Sequence, residues 1–221
     1  AARTPSALTI TVTDVTVYTN SGQSESVAEL VSTGTTVMTL TTSGDTPTGF
    51  QITQGNTGTA FAIDSSGVIT TAAVLDYETT ASYTLTVEVT DGDGWQSQND
   101  ISITVTDVND QPPAVTVDSA YTQAEASSTT WQTFTIIDTD TTGTYDCTLA
   151  GTDAADFSAS ISGKVCTVTW ASAPDYESPA DGGSNNVYDI TIAFTDGTNN
   201  LAAQTTAVTV TDVAPSINSN T

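Results

Sequence analysis

The sequence predicts an all-β protein made of two tandem β-sandwich domains, and three observations lead to this prediction. Thr, Ser, Val, Ala, Gly and Asp dominate the 221 residues, and long runs of helix-forming residues are absent. Short alternating runs of β-branched residues are separated by Gly, Asp and Asn, which is typical of strands joined by turns. A set of short motifs also recurs along the chain, whose length suits two ordinary domains.

The recurring motifs keep the same order in both copies. Val105-Thr106-Asp107-Val108 recurs as Val210-Thr211-Asp212-Val213 and is preceded by Val12-Thr13-Asp14-Val15; Asp76-Tyr77-Glu78 recurs as Asp175-Tyr176-Glu177; Thr90-Asp91-Gly92 recurs as Thr195-Asp196-Gly197. Several landmarks in one order indicate an internal repeat more strongly than any single one. We therefore expect repeat 1 at residues 15–111, repeat 2 at 112–214 and a C-terminal tail at 215–221.

Each repeat contains the pattern of seven strands. In repeat 1 they are predicted near residues 26–31, 35–40, 48–54, 59–63, 67–71, 82–90 and 98–106. The sixth strand places Tyr83, Leu85, Val87 and Val89 on one face, and the alternation returns at 188–194 in repeat 2. Seven alternating strands in about 100 residues indicate a Greek-key, immunoglobulin-like sandwich.

Residues 1–14 lie outside both repeats. Within them, residues 7–13 alternate like the last strand of a repeat, although both full repeats already have a last strand of their own. This segment is either the stump of a preceding repeat or an N-terminal donor-like strand that pairs with the sheet edge of another chain.

The charge balance excludes several classes of function. The chain has 26 acidic residues, two basic residues and no His, for a net charge of −24. Nucleic-acid binding requires clustered Lys and Arg, and anionic membranes attract basic segments. No apolar run approaches the roughly 18 residues of a membrane span, so direct membrane insertion is not expected. Without His, a reactive Cys context or a phosphate-binding glycine loop, we expect no enzyme.

The two cysteines are either disulfide-bonded or both free and buried. Cys147 alternates with Tyr145 and Leu149 on one predicted strand, and Cys166 alternates with Val168 and Trp170 on another. Both thiols therefore point to the apolar side, which favours a disulfide across the core. A metal site built on these two cysteines is disfavoured, because no His and no third Cys are available to complete it.

The most informative segment is the run Asp107-Val108-Asn109-Asp110-Gln111-Pro112-Pro113 between the two repeats. Ca²⁺ takes six to eight oxygen ligands, mainly from carboxylates and carbonyls. Asp and Asn before Pro also form turns, and paired carboxylates also serve acid–base catalysis in glycosidases. Cation binding accounts best for the whole set, because further acids fall at repeated positions near residues 76–78 and 138–140.

From residue 15 onward the chain resembles tandem cadherin repeats. The motifs that carry the resemblance are Phe61-Ala62-Ile63-Asp64-Ser65-Ser66-Gly67-Val68-Ile69, then Leu75-Asp76-Tyr77-Glu78, the strand from Tyr83 to Gly92, and the run from Asp107 to Pro113. The Thr-rich, Lys-poor and acidic composition is similar to cadherin-like repeats of large bacterial surface adhesins.

The resemblance implies about three Ca²⁺ ions at the junction between the repeats, with ligands from both. The implied ligands are the carboxylates of Glu29, Asp76, Glu78, Asp107, Asp110, Asp138, Asp140 and Asp196, the backbone carbonyls of Val108 and Gln111, and the side-chain oxygen of Asn109. The ends of the chain lack the Asn-Asp pair, so weaker sites are expected there. Their candidate ligands are Asp14, Asp45, Asp91, Glu125, Asp175, Glu177 and Asp212.

The leading hypothesis is a calcium-rigidified, extracellular structural or adhesive segment of a bacterial stalk, giant adhesin or filament. Its partners would be further copies of the chain, filament neighbours, or a cell-surface polysaccharide or protein. One alternative is a polymerising subunit that uses residues 7–13 for β-pairing with a neighbour. Another is a carbohydrate-binding module that stacks sugars on Trp95, Trp131 or Trp170, of which Trp170 is expected in the core.

Overall fold

The computed structural model describes residues 16–126 and 129–214. The chain divides into two compact units between Val108 and Asn109, which we call unit 1 and unit 2. Both units are β-sandwiches, so the predicted all-β class is confirmed. The predicted repeat limits, 15–111 and 112–214, stay predictions.

Residues 16–108 of unit 1 contain nine strands. They are β1 Tyr18–Thr19, β2 Ser24–Ala28, β3 Thr36–Thr39, β4 Thr42–Ser43, β5 Pro47–Gln54, β6 Phe61–Ile63, β7 Val68–Thr71, β8 Ser82–Asp91 and β9 Gln96–Thr106, with a 3-10 turn at Thr57–Thr59. A four-stranded sheet has the order β2-β9-β8-β5, a three-stranded sheet has the order β3-β7-β6, and β1 pairs with β4. The seven predicted strands are therefore present, and β1 and β4 are short additions.

The described part of unit 2, residues 109–126 and 129–214, contains seven strands. They are β10 Ala120–Ala124, β11 Thr130–Thr135, β12 Asp146–Ala150, β13 Phe157–Ser162, β14 Val165–Trp170, β15 Val187–Thr195 and β16 Gln204–Thr211, with a 3-10 turn at Ala154–Asp156. The four-stranded sheet β10-β16-β15-β12 and the three-stranded sheet β11-β14-β13 repeat the arrangement of unit 1.

In each four-stranded sheet, the strand that comes first in the sequence pairs in parallel with the strand that comes last. In unit 1, β2 runs parallel to β9, and in unit 2, β10 runs parallel to β16. All other strand pairs of the described residues are antiparallel. The parallel pairing places the end of β2 beside the end of β9 and the end of β10 beside the end of β16, and Glu29 and Glu125 directly follow β2 and β10.

Alternation along the strands builds the core of unit 1. Leu85 and Val87 of β8 and Ile101 and Ile103 of β9 are completely buried, while the residues between them face outward. Burying such a side chain contributes roughly 1.5 to 3 kcal/mol. Leu85 and Val87, predicted to share one face of the sixth strand, therefore form the centre of the sandwich together with Ile101 and Ile103 of β9.

Aromatic side chains dominate the core of unit 2. Trp131, Phe157, Trp170 and Tyr188 are buried and contact one another in a chain of tilted and edge-to-face pairs. The ring centroids of Phe157 and Trp170 are 4.2 Å apart. Trp170 is therefore a core residue, as predicted, and Trp131 joins it there.

The predicted disulfide is present. Cys147 on β12 bonds Cys166 on β14, and both residues are buried. The bond joins the four-stranded sheet of unit 2 to its three-stranded sheet, because β12 and β14 belong to different sheets. Unit 1 contains no cysteine, so only unit 2 has this covalent link between its layers.

Three sequence predictions lie outside the described residues: the strand at residues 7–13, the candidate ligand Asp14 and the C-terminal tail at 215–221. Among the described residues, no helix is long and apolar enough to cross a membrane.

Removing the disulfide should destabilise unit 2 selectively. We expect replacement of both cysteines by Ala to lower the free energy of unfolding of unit 2 by about 3 kcal/mol, since the bond closes a loop with a sequence separation of 19. Urea unfolding followed by resolved NMR signals from each unit would measure this. The signals of unit 1 serve as the internal control, and an equal loss in both units would contradict the prediction.

Candidate metal-binding sites

Glu29 is the structural centre of the acidic residues in unit 1. It directly follows β2 and is only 2% exposed. One carboxylate oxygen accepts the backbone N–H of Tyr77 at 2.7 Å, and the other accepts the N–H of Val108 at 2.7 Å. Its own N–H donates to the carbonyl of Thr106 at 3.1 Å. Glu29 therefore joins the end of β2, the Asp-Tyr-Glu loop and the end of β9.

The other acidic residues of unit 1 surround this point unequally. The Glu78 carboxylate lies within 4.8 Å of the carboxylates of both Glu29 and Asp107. Asp76 instead faces its own turn, where its carboxylate accepts the N–H of Thr79 at 2.8 Å and the hydroxyl of Thr79 at 2.9 Å. Glu78 is thus close both to Glu29 and to Asp107, while Asp76 stabilises the loop that holds Glu78.

Unit 2 assembles a second acidic group from distant parts of its sequence. Ligand oxygens of Asp138, Asp140 and Asp196 all lie within 4.8 Å of one another. Asp140 is 1% exposed and Asp196 is fully buried. One oxygen of Asp138, Oδ2, is buried and has no hydrogen-bond partner among the described residues. A buried carboxylate oxygen without a donor is costly, which makes this position suited to a cation.

Asp196 is held in its charged form by the hairpin that follows β15. Burial acts to raise the pKa of its carboxyl, but hydrogen bonds from the backbone N–H groups of Asn199 and Thr198 outweigh this effect and lower the pKa. The two N–H groups lie 2.6 and 2.8 Å from Oδ1. Oδ1 accepts both backbone bonds, whereas Oδ2 accepts the longer bond from the Asn199 side-chain amide at 3.3 Å, so Oδ2 is the oxygen better placed for a ligand role.

The start of unit 2 is fixed onto the same loops. The N–H of Gln111 donates to Oδ2 of Asp140 at 2.9 Å, and the Asn109 amide donates to the carbonyl of Asp196 at 3.2 Å. The side-chain oxygen of Asn109, predicted as a ligand, accepts the amide of Asn199 at 3.1 Å. Asp110 accepts the side-chain amide of Gln111 at 3.1 Å.

Sequence reasoning missed three residues at this site. The Asn199 amide also contacts the carbonyl of Gln111 at 3.3 Å, so it links the start of unit 2 to the hairpin after β15. Lys164 donates to the backbone carbonyls of Asp138 at 3.1 Å and Asp140 at 3.4 Å. A Cβ at Gly143 would lie 3.2 Å from the Asn109 amide nitrogen, so a larger residue would crowd this contact.

Glu125 in unit 2 accepts backbone hydrogen bonds in the same way as Glu29 in unit 1. Glu125 directly follows β10, and its carboxylate accepts the N–H of Tyr176 at 3.0 Å and of Val213 at 2.8 Å. These backbone bonds, that of Val213 first, lower the pKa of the Glu125 carboxyl. Ligand oxygens of Glu125, Asp175 and Glu177 lie within 4.8 Å of one another.

Negative charge accumulates around Glu125 and Glu177. The backbone N–H of Glu177 acts to lower the pKa of its own carboxyl, but burial and the charges of Glu125, Asp212 and Asp175 outweigh it and raise the pKa. Like charges at this spacing favour either a proton or a cation. The weaker predicted ligands Glu125, Asp175 and Glu177 are therefore brought together, and the charge of Asp212 acts on Glu177 from outside this group of three.

The weaker predicted ligands of unit 1 are not brought together. Asp91 is buried, but its Oδ1 accepts the N–H groups of Trp95 at 2.9 Å and Asp93 at 3.1 Å, which shapes the turn between β8 and β9. Asp45 is exposed in the bend before β5. Neither joins a group of three acidic side chains within the described residues.

The tryptophans do not form a shared surface for stacking sugars. Trp95 is 58% exposed, whereas Trp131 and Trp170 are buried in unit 2. The aromatic cluster that would favour carbohydrate binding is thus absent from the described surface, and Trp95 is its only exposed tryptophan.

Comparison with known proteins identifies the fold. Residues 23–106 match the family model of the cadherin domain. Human protocadherin gamma-A4 is 33% identical over 138 residues, which cover 58% of this chain and 14% of that protein. The chain therefore spans only a small part of this relative.

Solved structures extend the similarity to both units. A cis-dimer structure of protocadherin gammaB7 domains EC3-6 is 26% identical, with a TM-score of 0.64, covering 86% of this chain and 46% of that one. The human desmocollin-1 ectodomain has a TM-score of 0.73 at 21% identity, which shows the fold alone, and covers 91% of this chain and 42% of that one. These findings support tandem cadherin domains. The expected likeness to bacterial adhesins has no support among them.

Replacing Glu29 should destabilise unit 1 even without metal. We expect Glu29→Ala to cost roughly 2 to 4 kcal/mol, because two backbone N–H groups lose a charged acceptor. Unfolding in excess chelator, followed by NMR signals of unit 1, would measure this.

Glu25→Ala is the matched control, since Glu25 is exposed on β2, the strand that Glu29 follows, and its replacement should change stability by less than about 0.5 kcal/mol. Equal effects of the two substitutions would show that the hydrogen bonds of Glu29 contribute little.

Proposed function

We propose that this chain is a calcium-binding, extracellular adhesive segment with no catalytic activity. The observation that carries the calcium proposal is the group of Asp138, Asp140 and Asp196, with a buried Asp138 oxygen that has no hydrogen-bond partner among the described residues. All its donors are carboxylate oxygens, the ligands that Ca²⁺ prefers. The tandem cadherin domains support the same conclusion from the fold.

Each unit would supply part of the ligand set. Glu29, Glu78 and Asp107 would serve in unit 1, and the group of Asp138 and Asp196 in unit 2. Val108 and Asn109 are consecutive in the chain, so the sequence motif 107–111 belongs to both units. We infer from this continuity that calcium restricts the relative motion of the domains, since a bound ion removes freedom that a short linker otherwise allows.

Charge supports a role for calcium in stability as well. The chain has 24 more acidic than basic residues, and the proposed ligands concentrate that charge in a few loops. A cation that binds the folded chain but not the unfolded chain stabilises it by about 2.7 kcal/mol at a concentration 100 times its Kd. Chelation should therefore lower the melting temperature.

Calcium binding should depend on Asp138 more than on an unrelated carboxylate. We expect Asp138→Asn to weaken the tightest calcium step of the full chain by roughly tenfold or more, because one charged ligand is lost. Isothermal titration calorimetry would measure the affinity, and thermal unfolding with calcium and with chelator would measure the stabilisation.

Asp118→Asn is the control, because Asp118 is exposed in unit 2 and stands outside the acidic groups. If both variants bound calcium like the original chain, the assignment of Asp138 would be wrong. Small-angle scattering should in addition show a narrower range of interdomain distances in calcium than in chelator, and identical curves would contradict stiffening.

Self-association is the adhesive mode that the comparisons favour, since the gammaB7 relative is described as a cis-dimer. Calcium would lower the repulsion between two copies that each have a net charge of −24. We propose that copies of this chain associate in calcium.

Sedimentation velocity over a concentration series should show a reversible increase of sedimentation coefficient in calcium and its loss in chelator. A monomer at every concentration in calcium would contradict self-association, while leaving the calorimetric test of calcium binding unaffected.

A further inference from the structure

Lys164 is the only basic side chain in the part of the chain that the structure describes, and it lies beside the acidic group of unit 2. It belongs to the two-residue turn that joins β13 to β14. Its ammonium group donates to the backbone carbonyl of Asp138 at 3.1 Å and to that of Asp140 at 3.4 Å. Lys164 thus contacts the backbone on which two of the proposed calcium ligands are placed.

The loop that contains Asp138 and Asp140 needs support from side chains. Residues 138–145, all of which the structure describes, belong to no strand and lie between the isolated bridge at Ile137 and β12. Within this loop, Oδ1 of Asp138 accepts the N–H of Asp140 at 3.0 Å. Since backbone carbonyls outside a ladder need other donors, the two bonds from Lys164 fix the peptide groups that follow Asp138 and Asp140.

Lys164 is itself held in place from several sides. Its backbone carbonyl accepts the N–H of Ile136 at 2.7 Å. Its ammonium nitrogen lies 5.1 Å from the centroid of the Tyr145 ring, a distance at which cation–π attraction acts. Tyr145 and Lys164 each come two residues before a cysteine of the disulfide between Cys147 and Cys166, so this bond ties their segments together. The ammonium group is therefore held by a rigid frame.

We propose that Lys164 is a positioning residue for calcium, which holds the loop of Asp138 and Asp140 in its binding conformation before the ion arrives. This inference rests on the calcium binding proposed above and adds how one of its sites is assembled. An ion that binds an ordered loop does not have to offset the cost of ordering it. Lys164 would thus strengthen calcium binding although its own charge is positive.

Charge and position predict opposite effects for the loss of Lys164. Two positive charges repel each other, so removal of the ammonium group would by itself strengthen calcium binding. Removal of its two hydrogen bonds would instead loosen the loop and weaken binding. We assign the larger effect to position, because Lys164 is only partly buried and water and salt screen its charge. The sign of the change in affinity therefore distinguishes the two roles.

The test compares the original full chain with Lys164→Met, which keeps an unbranched stem but has neither donor nor charge. We expect Lys164→Met to weaken, by roughly fivefold or more, the same calcium step that Asp138→Asn weakens. Isothermal titration calorimetry would measure both. Lys164→Arg, which keeps charged donors for the two carbonyls, should restore the affinity to within about twofold. Ser162→Ala is the matched control, since Ser162 is exposed in the same hairpin, and should also stay within about twofold.

Amide hydrogen exchange in excess chelator tests the loop without any ion. The N–H of Asp140 should be protected in the original chain and should exchange roughly tenfold faster in Lys164→Met, because its acceptor on Asp138 is then less fixed. The N–H groups of β15, a central strand of the same unit, should exchange at unchanged rates. Their rates separate a local loosening of the loop from a general loss of stability.

The outcomes separate this inference from the proposed function. If the original chain bound no calcium, the proposed function would fail and the role of Lys164 with it. If the original chain bound calcium but Lys164→Met bound it equally or more tightly, only the role of Lys164 would be overturned. An unprotected Asp140 N–H in the original chain, or the same exchange rate in both chains, would likewise overturn it and leave calcium binding in place.

Discussion

A carboxylate placed directly after the first strand of each four-stranded sheet is the constraint on which the acidic loops depend. Glu29 and Glu125 each accept two backbone N–H groups, one from the Asp-Tyr-Glu loop and one from the segment after the last strand. Parallel pairing of β2 with β9 and of β10 with β16 makes this arrangement possible. The carboxylate therefore has a structural function before any metal arrives, and a proposed metal would find its ligands already assembled.

Because the chain has few basic residues, its buried carboxylates are stabilised mainly by hydrogen bonds and not by ion pairs. Most buried carboxylates in proteins pair with Lys or Arg, but this chain has two basic residues in total. Backbone N–H groups of tight loops instead donate hydrogen bonds to the buried carboxylates, which are those of Asp91, Asp153, Asp181 and Asp196. At Asp138 a backbone N–H reaches Oδ1 but not the buried Oδ2, which is the oxygen for which we propose a cation.

Local patterns predicted the strands, but not how distant strands meet. Alternation at Leu85 and Val87 identified the inner face because burial acts on each residue separately. The parallel pairing of β2 with β9 left no mark in that alternation, since both pairing directions have the same period. Asn199 was missed for a similar reason. It contacts Asn109, which is 90 positions away in the sequence, and no local sequence pattern indicates the distant partner of an Asn in a loop.

The disulfide gives the two domains different responses to mechanical force. Unit 1 contains no covalent cross-link, so pulling on its ends would release its whole contour length. In unit 2 the segment between Cys147 and Cys166 stays closed, with its ends held at a Cα separation of 6.2 Å. At roughly 3.4 Å per residue, the bond withholds about 60 Å of extension. A chain under tension would thus lengthen in two unequal steps, one for each unit. Reduction of the disulfide would increase the step of unit 2, because the closed segment could then extend.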